Sequence, residues 1–212
     1  MKNFEKQMLL DRDWHIRKLQ VYRAIPYRYV QKNFDKVKDE YYLMCIPMIY
    51  SHWECFVISC FRNLAYLINK KGIKYKDIID SIVVFNLHQE IRKNISNKSF
   101  DQILDYYLNN NSLLESIIDI DYRCKITAES NLNYKRMSNL FKYFSIDIPK
   151  KIINSRSVIE KLVTYRNKIA HGENGVLVSI KDIEAFIDTL VIIFDELIIT
   201  LVDYVNNRGY CK

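Results

Sequence analysis

The sequence predicts an all-α fold, and three observations carry that prediction. Only four Gly and three Pro occur in 212 residues, too few to turn a chain of many short strands. Long runs place apolar residues at i, i+3, i+4 and i+7, the period of one buried helix face. The last of these runs opens with Ser179-x-x-Asp182, a capping box that marks a helix start. With 49% apolar residues the chain is globular, and its length suits one sizeable core. Residues 1–212 therefore read as a single domain.

Residues 1–35 read as a helical extension at the N-terminus. In it Arg12, Arg17, Lys18, Arg23, Arg28 and Lys32 are interleaved with Trp14, Tyr22, Tyr27 and Tyr29. Cations among aromatics can follow a nucleic-acid backbone and stack on bases. The same pattern suits a solvated face with its aromatics turned to the core, which is the reading favoured here. Pro26 is expected to kink or divide the segment.

Residues 37–70 form the first long helix, with Leu43, Ile46, Ile49, Tyr50, Trp53, Phe56, Val57, Cys60, Leu64 and Leu67 on its apolar face. Pro47 is an interior break that can bend it. Residues 75–130 read as an insertion. Lys76 to Ile95 and Ser99 to Leu108 look helical, with Ser99-x-x-Gln102 as a capping box and Asn109-Asn110-Asn111 as a turn. Ile117 to Ile126 suits either a short hairpin or a loop, and His88 reads as a structural histidine. Residues 133–145 give another helix, followed by one from about Ser155 to Ala170. The final helix is about 27 residues and roughly 40 Å long at about 1.5 Å per residue. A helix of that length needs partners along all of it, which an antiparallel bundle supplies.

The net charge of +7 makes an anionic partner such as nucleic acid plausible. Cys45, Cys55, Cys60, Cys124 and Cys211 form no C-x-x-C pair and are odd in number, so they read as reduced, mostly buried thiols. No metal-ligand spacing and no cofactor signature is present. The N-terminus lacks the apolar core of a signal peptide, and Ile183 to Val202 is interrupted by Glu184, Asp188, Asp195 and Glu196. A soluble, cytoplasmic protein with no membrane span is expected.

The chemistry concentrates in Tyr165-Arg166-Asn167-Lys168-Ile169-Ala170-His171-Gly172-Glu173. Gly172 can take a left-handed conformation and end the helix, so Arg166, Asn167 and His171 occupy its last turns. Asn167 and His171 are four apart, which lets the amide reach and orient the imidazole. Arg166 and His171 are five apart, about 140° around an ideal helix. They meet one ligand only if the helix ends between them or the cleft is wider than one face. On spacing alone the favoured reading is a histidine serving the helix dipole and an arginine paired with Glu160 or Glu173.

Arg166-Asn167-x-x-x-His171 resembles the R-x4-6-H signature of the HEPN superfamily. His52-Trp53-Glu54-Cys55-Phe56 resembles the aromatic-Glu-aromatic element of its MAE-type (RiboL-PSP/HEPN-like) branch, and Ser130-Asn131-Leu132 resembles a second element of that branch. The resemblance implies a HEPN-like antiparallel bundle with an inserted middle region and an extra N-terminal helix. It implies a metal-independent endoribonuclease, with Arg166 and His171 catalytic, Asn167 beside them and Glu54 orienting one of them. Glu54 also suits a plain salt bridge to Arg62. RNA as substrate, a homodimer whose two signature helices line one cleft, and an antitoxin or antiphage-defence partner are further implications. A non-catalytic HEPN module binding RNA or a nucleotide, and a helical interaction protein, are the alternatives.

Overall fold

The computed structural model describes residues 2–29, 35–86, 114–129, 131–173 and 175–212. The readings at His88, at Ser99-x-x-Gln102, at Asn109 to Asn111 and at Ser130 lie outside the described residues. Seven α-helices are numbered here in chain order: α1 (Lys2–Tyr29), α2 (Asp35–Lys70), α3 (Tyr122–Lys125), α4 (Tyr134–Tyr143), α5 (Lys150–Asn154), α6 (Arg156–Ala170) and α7 (Ile180–Asn206). A 3-10 turn at Tyr75–Asp77 and a helical stretch at 80–86 follow α2. Among the described residues, extended pairing is limited to two single-residue antiparallel bridges, Lys74 with Ile117 and Ile78 with Cys211. Of the two readings of 117–126, a short hairpin or a loop, the second is nearer: one bridge is followed by the single turn α3, which Asp121 caps through the Cys124 amide.

The core lies where α1, α2 and α7 pack on one another, with α6 against α2. Met8 and Leu19 of α1 are fully buried, so the N-terminal helix packs as part of the bundle. Side-chain pairs give the directions. Asp11 meets Ser59 and Tyr22 meets His52, while Arg12 meets Asp195 and Arg23 meets Asp188. Helix α1 is therefore antiparallel to both α2 and α7, which run in the same direction. Phe56 packs on Phe194 with ring centroids 4.1 Å apart, and Phe61 on Phe141 at 5.3 Å. Buried aromatics of this size carry much of the apolar stabilisation in such a bundle.

Local rules set the helix ends. The Ser179 hydroxyl accepts from the Asp182 amide while the Asp182 carboxylate accepts from the Ser179 amide, the full capping box of α7. Neither Pro26 nor Pro47 divides its helix; α1 and α2 run through them. A mid-helix proline removes one hydrogen bond, and here packing along the rest of each helix outweighs that loss. By length and composition α2 is apolar enough over 37–70 to cross a membrane, but 56% of its apolar window is buried inside the bundle. It is a core helix.

Two sequence readings are corrected. The aromatics of α1 are not uniformly turned inward: Trp14 is 48% and Tyr27 67% exposed. Its cations are partly consumed by acids on α7, through Arg12 to Asp195 at 2.7 Å and Arg23 to Asp188. Tyr27 likewise donates to Glu184 at 2.8 Å. All five cysteines are free, but only Cys45 and Cys60 are buried; Cys55 lies on the outer face of α2 and Cys124 on the exposed α3.

Candidate active site

Helix α6 buries Ile159, Leu162 and Val163 against the bundle. Arg166, at i+7, i+4 and i+3 from them, continues that face one turn further on, where it meets Tyr50 of α2, and Asn167 lies at its edge. It ends at His171 for a local reason. Gly172 takes φ +67°, its amide donates to Ile169 O at 3.1 Å, and the Glu173 amide donates to Lys168 O at 2.9 Å. This is a Schellman cap, in which the left-handed residue is most readily glycine. A Cβ at Gly172 would touch nothing within 4 Å, so the backbone angle, rather than crowding, favours glycine there. His171 is consequently the cap residue, exposed at the helix mouth.

Arg166 is half-buried and held by neutral groups. Its Nη1 donates to Asn131 Oδ1 at 2.8 Å and to Asn167 Oδ1 at 3.1 Å. Its Cζ sits 4.9 Å from the centroid of the Tyr50 ring, a cation–π contact. Among the described residues no carboxylate pairs with it, and neither Nε nor Nη2 has a hydrogen-bond partner. A guanidinium keeps its charge throughout the working pH range, so this one presents an unneutralised charge and open donors. That arrangement suits an oxyanion.

Glu54 reaches this group through an intermediary. Tyr50 donates its hydroxyl proton to Glu54 Oε2 at 2.6 Å and accepts from the Leu132 amide at 2.6 Å. Burial first, and the Glu54 contact second, push the Tyr50 hydroxyl well above its ordinary value, so the phenol stays protonated. Trp53 donates from Nε1 to Leu132 O at 2.9 Å, so two side chains of α2 clamp the same loop residue. The suggested Glu54–Arg62 bridge is not what forms. Arg62 instead donates to the carbonyls of Ile126 and Arg123 at 2.9 and 3.2 Å.

Asn167 turns its carbonyl oxygen to Arg166 and makes no side-chain hydrogen bond to His171 among the described residues; the Asn167–His171 link is backbone only, the His171 amide donating to Asn167 O at 3.0 Å. The expected orienting of the imidazole by Asn167 is therefore replaced by a grip on Arg166. Glu54, Tyr50, Asn167 and Arg166 are brought into one network, and among the described residues His171 makes no side-chain hydrogen bond to it. Sequence reading passed over Tyr50, which counted as one more apolar position of α2. Tyr50 had no local signal, whereas Asn131 lay inside a quoted element.

A family model described as RiboL-PSP-HEPN matches residues 13–205, nearly the whole chain. The chain belongs to the RiboL-PSP-HEPN family. Its matched span begins inside α1 and ends inside α7, so most of α1 falls within the family domain. No curated protein and no solved structure matches this RiboL-PSP-HEPN chain. Its all-helical bundle is the fold expected of the superfamily.

Proposed function

We propose that this HEPN protein is an endoribonuclease that cleaves RNA without a metal ion. One observation carries the reading: Arg166 is fixed by neutral oxygens and an aromatic ring, with no carboxylate paired to it among the described residues, five residues before an exposed His171. RNA supplies its own nucleophile, the 2′-hydroxyl, so the protein need only move protons and stabilise charge on the phosphate. His171 takes the 2′-hydroxyl proton or protonates the leaving 5′-oxygen. Arg166 donates from Nε and Nη2 to the phosphorane oxygens as negative charge builds there. Asn167 and Asn131 hold the guanidinium, and Glu54 supports the site without touching the reacting atoms.

The role fits a toxin or antiphage-defence effector in the cytoplasm, held in check by an antitoxin or partner protein. A homodimer completes the reading. Arg166 and His171 point apart on one helix, and a two-fold axis beside α6 brings the His171 of one protomer toward the Arg166 of the other. Light scattering at micromolar concentration tests this; a strictly monomeric species that still cuts RNA would remove the shared cleft. The alternative is a non-catalytic RNA-binding module, favoured by the observation that among the described residues no side-chain hydrogen bond joins His171 to the Arg166 network. Incubating the pure protein with a mixed RNA pool separates the two. Cleavage supports the nuclease, and retention of intact RNA the binding module.

A further inference from the structure

Periodicity assigns Tyr50 to the apolar face of α2, and it is 3% exposed. Yet three polar or charged groups converge on it: the Arg166 guanidinium over its ring, the Glu54 carboxylate on its hydroxyl proton, and the Leu132 amide on its hydroxyl oxygen. We infer that Tyr50 is the positioning residue that sets the plane of the Arg166 guanidinium, and that Glu54 acts on the site through it. This rests on the reading of Arg166 as the group that holds the scissile phosphate.

Arginine is a long side chain with considerable rotamer freedom. Asn131 and Asn167 both grip Nη1 alone, and two bonds to one nitrogen leave the rest of the fork free to swing about it. A ring beneath the cation removes that swing. The hydroxyl is what keeps the ring in place. It donates to a carboxylate, a charge-assisted bond that also raises electron density on the ring and strengthens its pull on the cation. It accepts from the loop residue next to Asn131, so ring and amide oxygen move together. Tyr50 thus ties α2, the 131–132 loop and α6 at one point. A phenylalanine would fill the same space without either anchor.

The test uses the full chain with Tyr50→Phe, Tyr50→Leu, Glu54→Gln and the Tyr50→Phe/Glu54→Gln pair. The first readout is the Arg166 Nε–Hε NMR signal, assigned by its loss in Arg166→Ala. The ring should shift it upfield in the native protein. It should move part of the way back in Tyr50→Phe and reach the free-arginine position in Tyr50→Leu. The second readout is cleavage kinetics. Because a misaimed catalytic group can cost on the order of 10²-fold, kcat should fall about tenfold in Tyr50→Phe and on the order of 10²-fold in Tyr50→Leu, with KM within about twofold. Glu54→Gln should add no further loss in the Tyr50→Phe background. Multiplying losses in the pair would overturn the route through Tyr50. So would a folded Tyr50→Leu protein with the Arg166 signal unmoved. If Tyr50→Leu does not fold, Tyr50→Phe decides alone: a native Arg166 signal would overturn the inference. A native protein that cuts no RNA would end the ribonuclease reading, while the NMR comparison would still decide the role of Tyr50.

Discussion

Tyr50 and His52 are two positions apart on α2, and each anchors a polar cluster built on the opposite principle. His52 faces α1. Its Nδ1 meets His15 Nδ1 at 2.7 Å and its Nε2 meets the Tyr22 hydroxyl at 3.3 Å, while His15 Nε2 lies 3.7 Å from Asp11, which Ser59 in turn contacts. Burial lowers both imidazole pKa values, His52 to about 4, and Lys18 and the facing imidazole add to the effect on His52. The pair is neutral and closed. Tyr50 faces α6, where Arg166 has, among the described residues, no carboxylate partner and two open nitrogens. A buried polar cluster therefore need not be a site. What separates the two is whether charge survives and whether a donor remains open to solvent.

The largest expected effects lie at the open cluster. His171→Ala should lower cleavage by about 10²–10⁴-fold, and Arg166→Ala by about 10²–10³-fold. The helical circular dichroism should stay native in both, because these side chains are exposed or half-buried. His52→Leu should leave cleavage per folded molecule unchanged. Loss of cleavage in a folded His52→Leu protein would erase the contrast.

Acid should act on the closed cluster. The folded His52 pKa of about 4 lies below the ordinary 6.5, so between those values the unfolded chain binds more protons than the native one. Stability is then complete above pH 6.5 and falls as the pH drops toward 4, by at most about 3 kcal/mol from this group. His15 is shifted in the same direction. Urea denaturation at several pH values measures the slope, and His52→Leu should flatten it. At neutral pH that variant leaves the His15 nitrogen unpaired and should cost about 1–3 kcal/mol.

Smaller effects sharpen the picture of the open cluster. Gly172→Ala forces a Cβ into a left-handed angle and should cost about 1–2 kcal/mol in thermal stability. It should also loosen the turn that presents His171, lowering cleavage beyond what stability explains. Glu54→Gln should slow cleavage only about tenfold or less, well short of His171→Ala. An equal loss in the folded protein would give Glu54 a direct catalytic role.

What was readable in the sequence was local. The α7 capping box, the Gly172 stop and the apolar stripe of α2 each depend on residues within a turn or two, and each stands where periodicity put it. Arg166, Asn167 and His171 were visible together because one helix end carries them. The partners of Arg166 were not. Asn131 is 35 residues away, and Tyr50 lies on another helix among ten apolar-face positions that spacing cannot tell apart. The His15–His52 pair, 37 residues apart, was hidden in the same way. Spacing also brought Asn167 within reach of His171, but the nearer guanidinium takes its carbonyl oxygen.

The central claim is that Arg166 and His171 cleave RNA through its own 2′-hydroxyl. The most direct measurement is end-group analysis of RNA cut by the purified protein in excess EDTA. The account predicts cleavage that persists in the chelator, with a 2′,3′-cyclic phosphate and a 5′-hydroxyl at each cut, and its disappearance in His171→Ala. Cleavage that requires a divalent metal, 5′-phosphate ends, or undiminished activity in His171→Ala would contradict it.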